Sequence, residues 1–542
     1  MEYKTNWLPH LKESLPNEAC GLKLCTYTIS LEGWRRGLTL KYYLNEKSKI
    51  RYSLSSATKT HEFYYSRGDL VSDEAFAICR DKSITKEVLS KSGISVPEGK
   101  RFPQEAADEE IITYAHTLGF PLVVKPTNGD MGIGVVPNIQ SEDELKKALQ
   151  YVRYELKFPD VIVEQYIAGK EYRVYVVNNE VVSAIHRIPA NVTGDGISTI
   201  KQLIEKKNFE RKQNPRLMSC LIKMKQEMID FLHRKGYTLE TVPPKGETVF
   251  LTEKSNVSAG GDPIDAFEQL PDAVKKLSVS ALRALPNMAH GGIDVIIDEQ
   301  KQSGFIIELS GRTQIGGVLF PEEGSARDIP KAIIDYYFPE TKKEPEHKGN
   351  YYFDFGKITD PLRSGFATEV TVPPIPEGEQ VSKKWIITGT RLGPRYFRWV
   401  HKKAIALKIN GFAKKALNGE VSAVVSGTTE SIERFKELIW QGAPGVAEVT
   451  NVEESEWNQS IKIGFEIIEI PEEKLLTKKL EEKDKQIKKL KSEKKKLKSD
   501  MKQLEKEFKA VEKKYLEIQQ SRIWKLSSPV RSMMSYIKKR SN

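Results

Sequence analysis

Hydrophobic and polar positions change period several times along this chain, and the changes mark its elements. A continuous apolar run at residues 121–124 predicts a buried strand, 161–167 reads as a strand, and 169–177 turns out of a glycine into another. Residues 292–297 and 304–309 are two further apolar strands, joined by the polar turn 298–303 and therefore a hairpin. Helical spacing predicts an amphipathic helix over 81–89 through Ile84, Val88 and Leu89, stopped at Gly93. A second helix opens in capping-box form at Ser141-Glu142-Asp143-Glu144. Residues 385–391 read as a strand and 396–404 as the start of a helix, within a smaller α+β unit at 382–456. Residues 1–75 form an N-terminal α/β region of short strands and helices to which no chemistry is assigned, and 341–381 is a linker with short strands. From 476 to 518 apolar residues recur in alternating steps of four and three, interrupted only by Lys483 and Lys494. That is the seam of a coiled coil, placed at 471–520, and a basic amphipathic tail follows at 521–542.

Candidate chemistry concentrates where these elements end. Lys125 closes the 121–124 strand, just before a loop with Gly129, Gly132 and Gly134 that allows close backbone approach to phosphate oxygens. The absence of GK[ST] excludes a P-loop, and the glycine order excludes the dinucleotide fingerprint. A hairpin with a surface lysine has the same local composition. Lys82 and Lys86 read as solvated unless the end of their helix faces that loop. Glu171 and Arg173 alternate with apolar residues and so share a strand face, which an exposed sheet face explains equally well. Residues 255–262 have the small side chains of a loop approaching an anion, and equally those of a plain turn. Asp294 and Glu308 each interrupt an apolar run of the hairpin. Buried acids are costly unless paired or metal-bound, and acids on adjoining strands can hold Mg²⁺ against nucleotide phosphates. The alternative is two strand-end acids reaching solvent.

Composition removes several classes. Cys20, Cys25, Cys79 and Cys220 are scattered without metal-ligand spacing, as expected of reduced thiols in a cytosolic protein. The N-terminus lacks a charged start followed by an apolar core, and no stretch approaches the ~20 apolar residues of a membrane span. Neither export by that route nor a transmembrane segment is expected. The net charge of +11 points first to nucleic acid, but residues 471–542 hold 23 Lys/Arg and 11 Asp/Glu, leaving 62 against 63 elsewhere. The globular part is near neutral, so no specific nucleic-acid binding is expected.

Taken in order, these features resemble the ATP-grasp superfamily over residues 76–340, most closely its cyanophycin synthetase and bifunctional glutathione synthetase branch. The resemblance rests on Asp81-Lys82 with Thr85-Lys86, Val123-Val124-Lys125-Pro126, Glu171-Tyr172-Arg173-Val174, Arg187 with Gly194-Asp195-Gly196 and Thr199-Ile200, the stretch from Asn256 to Gly261, and Ile293-Asp294-Val295. It implies an ATP- and Mg²⁺-dependent carboxylate–amine ligase, with Mn²⁺ as the substitute metal. In such enzymes the γ-phosphoryl group passes to a carboxylate and an amine attacks the acyl phosphate. The resemblance places Lys82, Lys125, Gly132 and Gly134 at the phosphates, Glu164, Tyr166 and Ile167 along the adenine, and Glu171 at the ribose. Asp294 and Glu308 would bind the metal with Ser310, which stands where the family usually has asparagine. Arg187 would lie near the transferred phosphoryl and acyl groups. Asn256, Ser258, Gly260, Gly261 and Arg312 are the substrate-binding candidates.

Residues 382–456 resemble acylphosphatase, a ferredoxin-like α/β sandwich. Arg398 fits the family's phosphate-binding arginine, in a loop one residue longer, and Lys415 replaces the asparagine that positions water. An anion-binding relic or weak hydrolase is implied, and a docking module that keeps only the fold is the alternative. The expected class is therefore α+β: an ATP-grasp fold, the small sandwich and a C-terminal coiled-coil helix. The expected protein is a cytoplasmic ligase for small-molecule carboxylate and amine substrates, a homo-oligomer through 476–518, with its tail on an anionic membrane surface at the inner face. Two alternatives stand beside it: a catalytically weak nucleotide-binding scaffold or interaction protein, and an acylphosphatase with an accessory ATP-grasp domain.

Overall fold

The computed structural model describes residues 5–128, 133–298, 303–343, 351–416, 419–468 and 472–540. Two antiparallel sheets position the candidate site. The smaller has four strands in the order Gly99–Phe102, Val161–Gln165, Leu122–Pro126, Val136–Ile139. Alternation sorts its side chains: Leu122, Val124, Val161 and Val163 pack with the helices Asp108–Leu118 and Glu142–Leu149. Lys125 and Glu164 are thereby left on the opposite face. Ser141 caps the second helix through the Glu144 N–H, but Glu144 returns its carboxylate to the N–H of Gln140 at 2.8 Å, so the expected box is offset by one residue.

The larger sheet runs Asp262–Asp265, Glu180–Ile188, Lys170–Val177, His290–Asp298, Ser303–Ser310, antiparallel throughout. One face buries Val174, Ile293 and Val295 in a core shared with the helix Asp272–Arg283. The other face is divided. Tyr175 and Ile185 pack into the core of the N-terminal module, whereas Glu171, Arg173, Arg187 and Asp294 line an open cleft.

The helix Lys82–Lys91 ties the two sheets together. Asp81 caps it by accepting the N–H groups of Ser83 (2.9 Å) and Ile84 (3.1 Å), Leu89 packs in the core of the larger sheet, and Lys86 reaches the smaller one. Its inward positions are Thr85 and Leu89. Ile84, expected on the apolar face, is 44% exposed because Thr85 takes the inward turn and donates its hydroxyl to the Ile78 carbonyl at 2.7 Å.

Strands Thr39–Leu44, Ile50–Ser55, Thr60–Tyr64 and Arg67–Gly68 form the N-terminal sheet, whose remaining strand, Glu369–Thr371, comes from the region expected to be a linker. Phe353, Phe355 and Leu362 from that region also join Tyr27, Trp34 and Tyr42 in the module's core. The C-terminal unit has the strand order Glu448–Glu456, Val381–Thr390, Val421–Gly427, Asn410–Lys415, Phe465–Ile468, with helices Pro394–Ala406 and Thr429–Gln441 contributing to its core. Its last strand pairs in parallel with Asn410–Lys415, so the unit extends beyond the expected limit of 456. Val424 from its sheet lies in the N-terminal core, and Tyr351 and Ser426 join the two units by a 2.5 Å hydroxyl contact. The 49-residue helix Glu472–Gln520 follows, about 73 Å long at 1.5 Å per residue, and then the helices Arg522–Leu526 and Ser528–Arg540. Among the described residues no helix is long and apolar enough to cross a membrane, and the four cysteines are free thiols.

Candidate active site

The cleft has a volume of about 1640 Å³ and takes its walls from both sheets and the N-terminal module. At the smaller sheet, Val123 pairs with Glu164 and Lys125 with Ile162, which sets Lys125 diagonally across from Glu164. The Lys125 ammonium lies 2.5 Å from one Glu164 oxygen, and Lys86 lies 2.6 Å from the other. Burial works against the Glu164 carboxylate, but Lys125 and then Lys86 outweigh it, so the group sits below the usual carboxyl range. Lys86 is also lowered, because burial takes more from it than Glu164 returns. Two cations thus share one acid, an excess of positive charge suited to an anionic ligand. The Lys82 N–H points to the Thr127 carbonyl at 3.4 Å, which brings the start of the helix to the glycine loop. The buried Thr127 hydroxyl has no hydrogen-bond partner among the described residues.

At the larger sheet, Asp294 stands opposite Glu308 on one side and opposite Arg173 on the other. Residues directly opposite in an antiparallel pair point to the same face, so the three form a row. Arg173 holds both Asp294 oxygens at 2.7 Å, and Arg187 adds a contact at 2.8 Å while also pairing with Glu171. Burial pushes the Asp294 carboxyl up, but Arg173 and Arg187 more than offset it and hold the group well below the usual range. The Arg187 Nε is buried with no acceptor among the described residues.

Tyr166, Ile167, Asn256, Ser258, Ser310 and Arg312 also line the cleft. Arg312 lies 5.3 Å from the ring centre of Tyr64 and 5.6 Å from that of Tyr65, both on the N-terminal module. Three expected glycines do different work. A Cβ on Gly260 would meet Ile222 at 2.7 Å, one on Gly261 would meet the Ile188 carbonyl at 2.6 Å, and Gly134 (φ +74°) is buried against Pro126. All three serve close packing, and none is among the residues lining the cleft. Gly132 lies outside the described residues. Arg398, the fifth residue of Pro394–Ala406, is exposed, as is Lys415, and Pro394 brings no N–H to the start of that helix.

Sequence reasoning passed over two residues that line the cleft, Arg173 and Arg216, and one, Lys86, that reaches the site through its ion pair with Glu164. Arg173 was legible only as a partner of Glu171 in alternation, and Lys86 only as a repeat of Lys82 one turn on. Arg216, in the polar stretch Asn214-Pro215-Arg216, carried no periodic signal. Among the described residues no group of three His, Cys, Asp or Glu gathers to hold a metal. Two facing carboxylates nevertheless fit Mg²⁺, which takes one or two protein carboxylates and completes its shell with water and phosphate.

Residues 79–202 match the RimK-like ATP-grasp domain. The chain carries an ATP-grasp fold. Residues 383–467 match acylphosphatase, so an acylphosphatase-like domain follows it. The chain is 30% identical over 330 residues to the glutathione biosynthesis bifunctional protein GshAB of Clostridium perfringens, covering 58% of this chain and 41% of that protein. It is 33% identical over 266 residues to the cyanophycin synthetase of Synechocystis, covering 48% of this chain and 30% of that one. A bifunctional glutathione synthetase structure from Pasteurella multocida aligns with a TM-score of 0.42 at 27% identity, over 55% of this chain and 41% of that one. The chain spans less than half the length of the curated relatives it matches.

Proposed function

We propose that this ATP-grasp chain is an ATP- and Mg²⁺-dependent carboxylate–amine ligase that forms an amide through an acyl phosphate. The observation that carries the reading is the row Arg173–Asp294–Glu308, with Arg187 beside it, in one cleft with Lys125 and Lys82. ATP supplies the phosphoryl group, and Mg²⁺ held by Asp294 and Glu308, with Ser310 next on the same strand face, supplies neutralising charge. Lys82, Lys86 and Lys125 place cations at the phosphate end, and Tyr166 and Ile167 line the nucleotide base. Arg187 has a buried Nε–H to offer an oxygen of the reacting carboxylate, and its pair with Glu171 orients it. The carboxylate oxygen takes the phosphoryl group, the amine nitrogen then bonds to the acyl carbon, and phosphate leaves with the former carboxylate oxygen. Purified protein supplied with amino-acid pools should release ADP only with Mg²⁺, and Lys125→Ala should abolish the release. ADP release unchanged in that variant would remove the assignment.

The scaffold reading has one observation in its favour: Glu164 and Asp294 are each already neutralised by two cations. The acylphosphatase-like domain is read as a docking module, since its sheet is built into the N-terminal core and its Arg398 is exposed. Along Glu472–Gln520 the apolar seam from Leu480 to Ile518 is 46–69% exposed in the single chain, which supports self-association into a coiled coil. In Ser528–Arg540, Val530, Met533, Met534 and Ile537 form one exposed stripe on a helix that also carries Arg531, Lys538 and Lys539. That arrangement suits an anionic membrane surface on the cytoplasmic side, each cation near it contributing about 1 kcal/mol.

A further inference from the structure

The two hairpin acids stand opposite one another, yet their oxygens are committed very differently. A carboxylate offers about four acceptor positions, shared between its two oxygens. On Asp294, Arg173 takes one position on each oxygen at 2.7 Å, and Arg187 takes a second on Oδ2 at 2.8 Å. A single position is left, on Oδ1. Glu308 lines the same cleft and, among the described residues, has no hydrogen bond and no cation within 4.0 Å, so its oxygens are open.

The next position on that strand face offers little to a second cation. It is Ser310, whose hydroxyl has no hydrogen-bond partner among the described residues and brings no charge. Opposite Ser310 stands Gly292, without a side chain, and a Cβ there would lie 2.5 Å from the Thr313 Oγ1. Thr313 is fixed in that place: its hydroxyl accepts the Gly292 N–H at 2.8 Å and donates to the Ser310 carbonyl at 2.8 Å. Of the other acids lining the cleft, Glu164 is held by Lys125 and Lys86, and Glu171 by Arg187. Glu253 also lines it, but among the described residues no group of three His, Cys, Asp or Glu comes together. Two divalent ions side by side, about 3.5–4 Å apart, each need donors of their own, and this set is short of them.

We propose that the cleft takes one divalent cation with its nucleotide, between Glu308 and the open position of Asp294, and that Arg173 stands at Asp294 in place of a second. A guanidinium is always charged, and its planar fork covers both carboxylate oxygens, so it neutralises the acid with no hydration shell to shed. Strand register fixes it there: Arg173 is paired opposite Asp294, while its neighbours Tyr172 and Val174 point to the other face and pack in the core. Positive charge at this acid is therefore carried by the chain and not drawn from solution. The count of one rests on the ATP and Mg²⁺ reading of the cleft.

Equilibrium dialysis of the full chain with a non-hydrolysable ATP analogue and Mn²⁺ tests this, with nucleotide read by absorbance and metal by atomic absorption. Expected in the wild type is a single Mn²⁺ per bound nucleotide, above the metal held without nucleotide, and a paramagnetic signal not broadened by a neighbouring ion. Arg173→Met removes both the charge and the N–H groups, and should raise the ratio from about one to about two, with mutual broadening of the signals. A coupled pair of ions in the wild type, or an unchanged ratio in Arg173→Met, would overturn the proposal. Should Arg173→Met not fold, the wild-type ratio and line shape decide: a lone unbroadened ion upholds the proposal and a coupled pair overturns it. If no nucleotide binds, the ATP reading falls and the count with it, whereas bound nucleotide with a coupled pair overturns the count alone.

Discussion

Asp294 and Glu308 face one another across the hairpin, and Asp294 is already gripped through both oxygens by Arg173 at 2.7 Å. On the proposed assignment, a divalent cation at Asp294 would compete with that guanidinium and with Arg187 for its oxygens, which would link metal loading to arginine movement. Glu308→Gln should therefore abolish Mg²⁺-dependent turnover while the protein melts like the wild type. Asp294→Ala should also abolish it but should melt at clearly lower temperature, because the half-buried Arg173 guanidinium loses the carboxylate that holds it, while Arg187 keeps Glu171; breaking such a pair costs up to about 3 kcal/mol. Calorimetry checks both, and an Asp294→Ala protein as stable as the wild type contradicts the pairing.

His290 gives a pH dependence of known sign. Burial lowers its imidazole to about 3, and its ring nitrogens lie 2.8 Å from the Tyr175 hydroxyl and 3.3 Å from that of Tyr337. In the unfolded chain the ring titrates near ~6.5. Between those values the unfolded state binds the extra proton, so the contribution is complete above the unfolded value and declines as pH falls toward the folded one, by up to about 1.4 kcal/mol per unit. His290→Gln should flatten the loss of melting temperature in that window. A slope equal to that of the wild type would count against a neutral buried ring.

The acylphosphatase-like domain should hydrolyse benzoyl phosphate no faster than a buffer control. Lys415→Asn should leave that rate unchanged, since Arg398 sits exposed in the second helical turn and Pro394 withholds an N–H at the first. A marked gain in Lys415→Asn, lost again in Arg398→Ala, would show that a phosphate cradle survives.

The hairpin acids and Lys125 were readable in the sequence because each interrupts or ends an apolar run, and few other positions in those runs are polar. The charge network was not. That Arg173 meets Asp294 is a property of strand register between distant segments, and Arg216 reaches the cleft only because Gly316 and Gly21 close on it from elsewhere in the chain. The same limit explains the strand Glu369–Thr371, whose partner Thr39–Leu44 lies in a remote part of the sequence. Gly260 and Gly261 have a packing reason that the sequence does not show: an isoleucine and a carbonyl fill the space a Cβ would need.

Removal of residues 471–542 should convert an oligomer into a monomer and end binding to anionic vesicles, while ADP release persists. Light scattering and vesicle sedimentation read the two effects. An unchanged mass per particle after truncation would contradict the coiled-coil interface.

The most direct measurement is trapping of the activated acid. Full-length protein with ATP, Mg²⁺, hydroxylamine and a pool of amino acids should form a hydroxamate in step with ADP. The yield should vanish with chelator, with Lys125→Ala and with Glu308→Gln. ADP formed without hydroxamate, or hydroxamate formed equally well by Glu308→Gln, would contradict acyl-phosphate chemistry at this cleft.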